Sequence, residues 1–239
     1  MANLPTSRTF ENYREWESAW GRLSMPRLRQ SSTAFAELSG YIGGALSLAG
    51  FRLFRNGGTP LLERRRGTFR EEIVIVPAPG MYFREGLPFG VRVHLSSTEV
   101  ARIRSRYWRP STRAPQVVAT GDIGQLRSWP RWTIWYASIG LETAESLVRE
   151  LTEHAVPWFE TFESPTQLRD KLYARELPLV DSSTALELLL AEFDPFEARR
   201  YLATCPPSAW FKSGPVAEPE GYRLGADRIG PISAYYRLW

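Results

Sequence analysis

Two histidines, His94 and His154, and one cysteine, Cys205, are the chain's whole supply of near-neutral titrating or nucleophilic side chains of those types. A histidine works as a general base when a carboxylate orients it. His94 shares one side of a strand-like run with Arg92, and Glu71 and Glu72 lie on an expected neighbouring strand. Cys205 precedes Pro206 and Pro207 with neither histidine close in sequence, and no G-x-S-x-G elbow occurs, so nucleophilic catalysis has little support. Three Cys and His residues in all cannot close a four-ligand structural zinc site. Glu71, Glu72 and Asp122 offer carboxylates to a divalent ion. Glu142 and Glu145, and again Glu150 and Glu153, recur one helical turn apart, the commoner meaning of which is a solvated acidic face beside His154. The only lysines, Lys171 and Lys212, stand outside any glycine-rich phosphate loop. No cofactor or metal is expected, and the inventory leans away from an enzyme; a carboxylate- and metal-dependent enzyme ranks third among the readings.

The cations point elsewhere. Of 30 basic residues all but two are arginine, whose planar fork suits carboxylates, phosphates and aromatic faces. They are unevenly placed: residues 52–113 hold thirteen arginines and five glutamates, a net of +8, whereas residues 114–239 carry a net of −5. A basic block of this kind either complements an acidic surface of its own fold or meets an anionic partner. Arg64 and Arg66, with Arg65 and Arg70, fall on a candidate hairpin, and Arg102, Arg106 and Arg109 line one face of a candidate helix. Trp132, Trp135 and Tyr136 add aromatic anchors of the sort that dominate interfaces. These eight residues, Arg64, Arg66, Arg102, Arg106, Arg109, Trp132, Trp135 and Tyr136, are the candidate partner-binding set. A protein partner is the first expectation. Nucleic acid is the alternative, since Tyr82, Phe83, Tyr107 and Trp108 lie among the arginines, although no RNP, zinc-finger or helix-turn-helix signature accompanies them.

The elements that must position these groups follow from periodicity. Phe10, Tyr13, Trp16 and Trp20 predict a short helix on an N-terminal arm. Phe35, Leu38, Ile42, Leu46 and Ala49 predict a second, stopped by Gly50. The runs on either side of Gly67 predict a hairpin, and Phe89, Val91, Val93 and Leu95 alternate as a half-buried strand. Ser96 and Glu99 predict a capping box for a helix that turns Val100, Ile103 and Tyr107 inward. The segments Gln116–Gly124 and Arg131–Ser138 predict further strands, the latter rich in Trp. Helices are predicted through Ala144, Val148, Leu151 and Ala155, after the Ser164 cap, through Leu186–Phe193 and again after Asp194, followed by an irregular, partly extended tail. The order predicts an α+β fold, a mainly antiparallel sheet with helices on one face plus a helical C-terminal part. Its expected organisation is an arm over 1–30, an α+β core over 31–178, and C-terminal helices with a tail over 179–239. With 239 residues, 43% hydrophobic, the chain can bury a sizeable core. No run approaches the ~18 apolar residues of a membrane span, and the first residues carry no secretory signal, so a cytoplasmic protein without membrane contact is expected.

A helix ending in Ala49-Gly50-Phe51, the strand Glu71-Glu72-Ile73-Val74-Ile75-Val76, the strand Val91-Arg92-Val93-His94-Leu95 and the segment Val156-Pro157-Trp158-Phe159-Glu160-Thr161-Phe162 before Ser164-Pro165 together resemble a bacterial domain-of-unknown-function family. The resemblance spans roughly residues 33–175, with 79–80 and neighbours (PAPGMYFREG) departing from its usual glutamine-containing strand. Members are small cytoplasmic α+β proteins, some encoded beside polymorphic toxin genes. The resemblance implies no catalytic residues; it implies an interaction protein, such as an immunity or accessory protein that binds a toxin or complex subunit.

Overall fold

A computed structural model of the chain describes residues 7–10, 31–56, 59–77, 87–107, 116–127, 132–137, 142–204 and 229–238. The fold is α+β, built on a seven-stranded sheet in the order β1-β7-β5-β4-β3-β2, with β6 also pairing β5. The strands are β1 (Ser7–Phe10), β2 (Arg52–Asn56), β3 (Thr59–Arg66), β4 (Phe69–Pro77), β5 (Leu87–Ser97), β6 (Val117–Asp122) and β7 (Trp132–Ala137). The helices are α1 (Ser31–Leu46), α2 (Thr98–Tyr107), α3 (Gly124–Arg127), α4 (Glu142–Glu150), α5 (Val156–Glu160), α6 (Pro165–Ala174), α7 (Ser182–Glu192), α8 (Pro195–Thr204) and α9 (Ile229–Tyr236).

The chain forms two compact units that interleave in sequence. The first comprises Met1–Arg66, Arg70–Leu95 and Thr120–Glu160, and the second Gly67–Phe69, Ser96–Ala119 and Thr161–Trp239.

In the first unit, strict alternation divides the sheet into two faces. Leu62 on β3, Ile73 and Ile75 on β4, and Phe89, Val91 and Val93 on β5 are fully buried on one of them. Phe35, Leu38, Ile42 and Leu46 of α1, with Ala144 and Leu147 of α4, supply the apolar cover. Phe35 meets Phe89 edge-on at 5.7 Å between ring centres. The helical region after α4 widens into a π turn over Leu151–Ala155, where the Val156 N–H reaches back to the Leu151 carbonyl. That turn lets the helix pass Pro157, which has no N–H to give, and delivers Trp158 and Phe159 into the core. Opposite them, Gly50 ends the turn after α1 with φ +84°, a left-handed value that glycine adopts without strain.

The second unit is mainly helical. α7 is buried on nearly all sides, packed by α2 and α8, and α9 adds Ile229 and Ile232. Its caps follow the sequence: Ser164 accepts from the Gln167 N–H, with Pro165 in the first turn, and Asp194 Oδ1 accepts from the Phe196 and Glu197 N–H groups. Asp181 does the same for Thr184.

Four expectations change. Phe10 is the last residue of strand β1, paired with Trp132, rather than the start of a helix; residues 11–30 lie outside those described. Strand β2 was not anticipated, because Arg52-Leu53-Phe54-Arg55-Asn56 is too short and too basic to read as a half-buried strand. The cap of α2 is Ser97, whose Oγ accepts from the Val100 N–H at 3.3 Å, and not Ser96. The end of the tail is helical: Ile229–Tyr236 form α9, since Ile229, Ile232 and Ser233 share a face that the second unit buries.

Candidate functional site

The face of the first unit's sheet opposite α1 and α4 collects most of its ionic chemistry. Alternation puts Arg52 and Phe54 of β2, Leu61, Glu63 and Arg65 of β3, Arg70, Glu72, Val74 and Val76 of β4, and Arg92 and His94 of β5 on this side. Glu63 is the hub. Its Oε1 accepts from Arg65 Nε at 2.6 Å, and its Oε2 accepts from Arg70 Nε at 2.9 Å and Nη2 at 2.7 Å. Arg70 Nη2 also lies 2.7 Å from Glu72 Oε1, and Glu72 Oε2 is 3.7 Å from His94 Nε2.

Exposure within these pairs is unequal. The Arg65 and Arg70 side chains are 71% and 42% exposed, while those of Glu63 and Glu72 are 13% and 12%. The carboxylates lie under their cations, so what solvent meets is guanidinium, with Arg92 exposed besides.

Local electrostatics follow. Burial pushes the Glu63 carboxyl up, but hydrogen bonds from Arg65 and Arg70 and their charges outweigh it and hold the pKa below the ordinary 4.5. Burial raises Glu72 above the same value, and Glu63 adds to this while Arg70 and Arg65 pull the other way. Burial lowers His94 below 6.5, and the Arg70 charge lowers it further. A neutral imidazole 3.7 Å from its carboxylate is too far for a hydrogen bond and is not oriented by it. The pair is a charged lining, not an assembled acid–base dyad.

The candidate residues divide. Arg64 leaves the surface: it is 4% exposed, its Nε donates to Glu71 Oε2, its Nη1 donates to the Ala49 carbonyl at 2.8 Å, and its Cζ lies 4.6 Å from the centre of the Phe51 ring. A charge so enclosed secures the turn at Gly50 and cannot meet a partner. Trp135 is withdrawn likewise, 2% exposed where β7 runs opposite Phe89 of β5. Arg66 is half-buried. Arg102 is exposed and bonded to Glu99 at 2.6 Å, and Arg106 is exposed beside the Tyr236 phenol. These two belong to the second unit, whereas Arg64 and Arg66 belong to the first. Trp132 and Tyr136 lie on β7, their side chains outside the described set, and Arg109 is outside it altogether.

The carboxylates of the metal reading part company. Glu71 is fully buried against Arg64, and Glu72 faces the other side of the sheet. Asp122 Oδ1 accepts the Gly124 N–H at 2.8 Å and the Thr133 N–H at 3.0 Å, fastening the turn after β6 to β7. Burial raises Asp122 to about 7, against those two N–H groups and the Arg92 charge. Among the described residues no three His, Cys, Asp or Glu side chains form a metal-binding group. On the acidic helix Glu150 is engaged by Arg127 at 3.0 Å, with His154 at 3.7 Å.

In the second unit the residues that sequence reasoning missed are Arg104 and Glu187. Arg104 Nη2 and Nε donate to Glu187 Oε2 at 2.6 and 3.0 Å, Arg104 also donates to the Val117 carbonyl, and Tyr107 donates to Glu187 Oε1. Both charged side chains have zero exposure.

No protein family, no curated protein and no solved structure matches this chain. Among the described residues no helix is long and apolar enough to cross a membrane.

Proposed function

We propose that this chain is a non-catalytic interaction module that binds an acidic partner protein through the face of its sheet opposite α1 and α4. One observation carries the reading: on that face the arginines stay exposed while the glutamates that neutralise them are covered. A surface that solvates its own ion pairs has no need to sort them in this way. Here it presents guanidinium forks, with Phe54 at 47% exposure and the half-buried Leu61, Val74 and Val76 between them. Arginine and aromatic anchors on a flat patch are the composition of protein interfaces. The specific form we propose for this reading is an immunity or accessory role in the cytoplasm, with a toxin or complex subunit as partner.

Nucleic acid is the second reading, favoured by the exposed Phe54 ring beside Arg52, an arrangement on which a base can stack. One experiment separates the two. The full chain is used to capture partners from lysate of its source organism, with and without nuclease and at two salt concentrations. The captured protein is then titrated against the Arg65→Glu/Arg92→Glu variant. A protein that survives nuclease and loses at least about tenfold in affinity, ~1.4 kcal/mol, to the variant supports the reading. Unchanged affinity removes this face from it. Recovery of nucleic acid that dissociates steeply with salt promotes the second reading.

A further inference from the structure

The sheet's edge at β2 identifies how such a partner engages. β2 ends the strand order, with β3 as its neighbour. Asn56 lies opposite Thr59, Phe54 opposite Leu61 and Arg52 opposite Glu63. In a hairpin whose strands are separated by two residues, the pair beside the turn exchanges both backbone bonds, and bonded and non-bonded pairs then alternate. Asn56, Phe54 and Arg52 therefore bond to β3, and Leu53 and Arg55 direct their N–H and C=O groups away from the sheet. Among the described residues no strand pairs with that side.

The edge is also held firmly. Leu53 packs under α1 so closely that a Cβ added at Gly43 would lie 3.1 Å from the Leu53 Cβ. Two exposed apolar residues border it: Phe54, and Leu48, which is 97% exposed in the turn that leads to β2. A template fixed before binding loses little entropy when a strand is added.

Charge selects the occupant. β2 contains two arginines and no acid. Arg52 is exposed, and Glu63, its cross-strand neighbour, is already taken by Arg65 and Arg70. A second copy of the chain would bring four arginines onto one seam, where like charges repel. An acidic strand would instead neutralise them. We propose that β2 accepts an extended acidic segment of the partner as an additional strand, with a carboxylate beside Arg52 and an apolar residue against Phe54 on the same face. The proposal rests on the interaction reading above and specifies its partner.

A library of random peptides displayed on phage, panned on the full chain, provides the probe. An enriched peptide is then synthesised with a fluorescent label and titrated by anisotropy. Enriched sequences should carry an acidic and an apolar residue two positions apart. Arg55→Pro removes an outward N–H while sparing the bonds to β3, and should weaken binding at least about tenfold; Arg55→Ala keeps that N–H and should cost no more than about threefold. Equal binding to the Arg55→Pro variant and wild type overturns the proposal, as do equal losses in the two variants or an absence of enrichment over a protein-free control. Should Arg55→Pro melt at a lower temperature, amide exchange in the wild type decides: protection of Leu53 and Arg55 on peptide binding supports strand addition, and unchanged exchange overturns it. A dimer that dissociates on Arg55→Pro assigns the edge to a second copy, and overturns the acidic occupant. Peptide binding lost in Arg65→Glu/Arg92→Glu but kept in Arg55→Pro overturns the edge and leaves the face reading standing.

Discussion

Arg104 in the second unit and Arg70 in the first each hold a glutamate, at 2.6 and 2.7 Å, yet their surroundings are opposite. The first pair has no exposure on either side; in the second the cation is 42% exposed over a carboxylate at 12%. Removing two charges from water costs several kcal/mol, which the interior pair offsets through its mutual bonds and the further contacts from Tyr107 and to the Val117 carbonyl. It contributes to the fold by remaining intact. The open pair has high-dielectric screening and contributes little to stability. The same residue types thus serve architecture in one unit and, in the reading proposed above, recognition in the other, and exposure decides which.

The contrast can be broken most forcefully at Glu187. Glu187→Ala should leave Arg104 buried and uncompensated and cost about 3–5 kcal/mol in urea denaturation. Arg104→Met with Glu187→Leu, which removes both charges, should be close to neutral. A loss under about 1 kcal/mol for the single change would show that the interior pair is not needed.

Asp122 is the buried carboxylate without a cation in contact, and its pH dependence comes next in size. Its folded pKa of about 7 lies above the ordinary 3.8, so its stabilising contribution is complete below about pH 3.8 and is lost as pH rises to about 7. Asp122→Asn keeps an acceptor for the two N–H groups and cannot ionise. It should flatten that slope and gain relative stability at pH 8, measured by thermal melting across pH; an unaltered slope would place the titration elsewhere.

His94 gives a smaller effect of opposite sense. Its pKa is depressed from 6.5, so the stability it contributes is present above pH 6.5 and falls as pH drops through the folded value. His94→Gln should remove that decline, and titration of the imidazole by NMR above 6.5 would contradict the assignment. The smallest expected change is Arg65→Ala, which should shift stability by no more than ~0.5 kcal/mol while weakening the partner. A large loss of stability there would make the open face as architectural as the interior.

Much of the frame was legible in the chain. The phase of Phe89, Val91, Val93 and Leu95 gave β5 its buried side, and the Ser164-Pro165 and Asp194 starts are seen as read. Arg64 and Arg104 show where reading stopped short. Arg64 is in phase with Leu62, and Glu71 with Ile73 and Ile75, so alternation alone placed a cation and an anion on the covered side. Arg104 continues the stripe of Val100 and Ile103. In both cases the expectation that arginine seeks water overrode the periodicity; opposite charges in phase with apolar runs were the missed signal. β2 was invisible for a different reason, since a short edge strand carries no alternation long enough to detect. The equal-looking run Arg64-Arg65-Arg66 splits for the plainest cause, that neighbouring residues on a strand point to opposite faces.

The π turn at Leu151–Ala155 makes the helical region around it sensitive to length more than to sequence. Thr152 and Glu153 are exposed and free to vary in side chain. Deleting either would close the π turn to an ordinary α-helical turn of i→i−4 bonds. The ring of Pro157 would then meet the carbonyl four residues before it, which the wider turn now keeps clear. Descendants of this chain should therefore show many substitutions at 152 and 153 and no single-residue gap between Glu150 and Phe159.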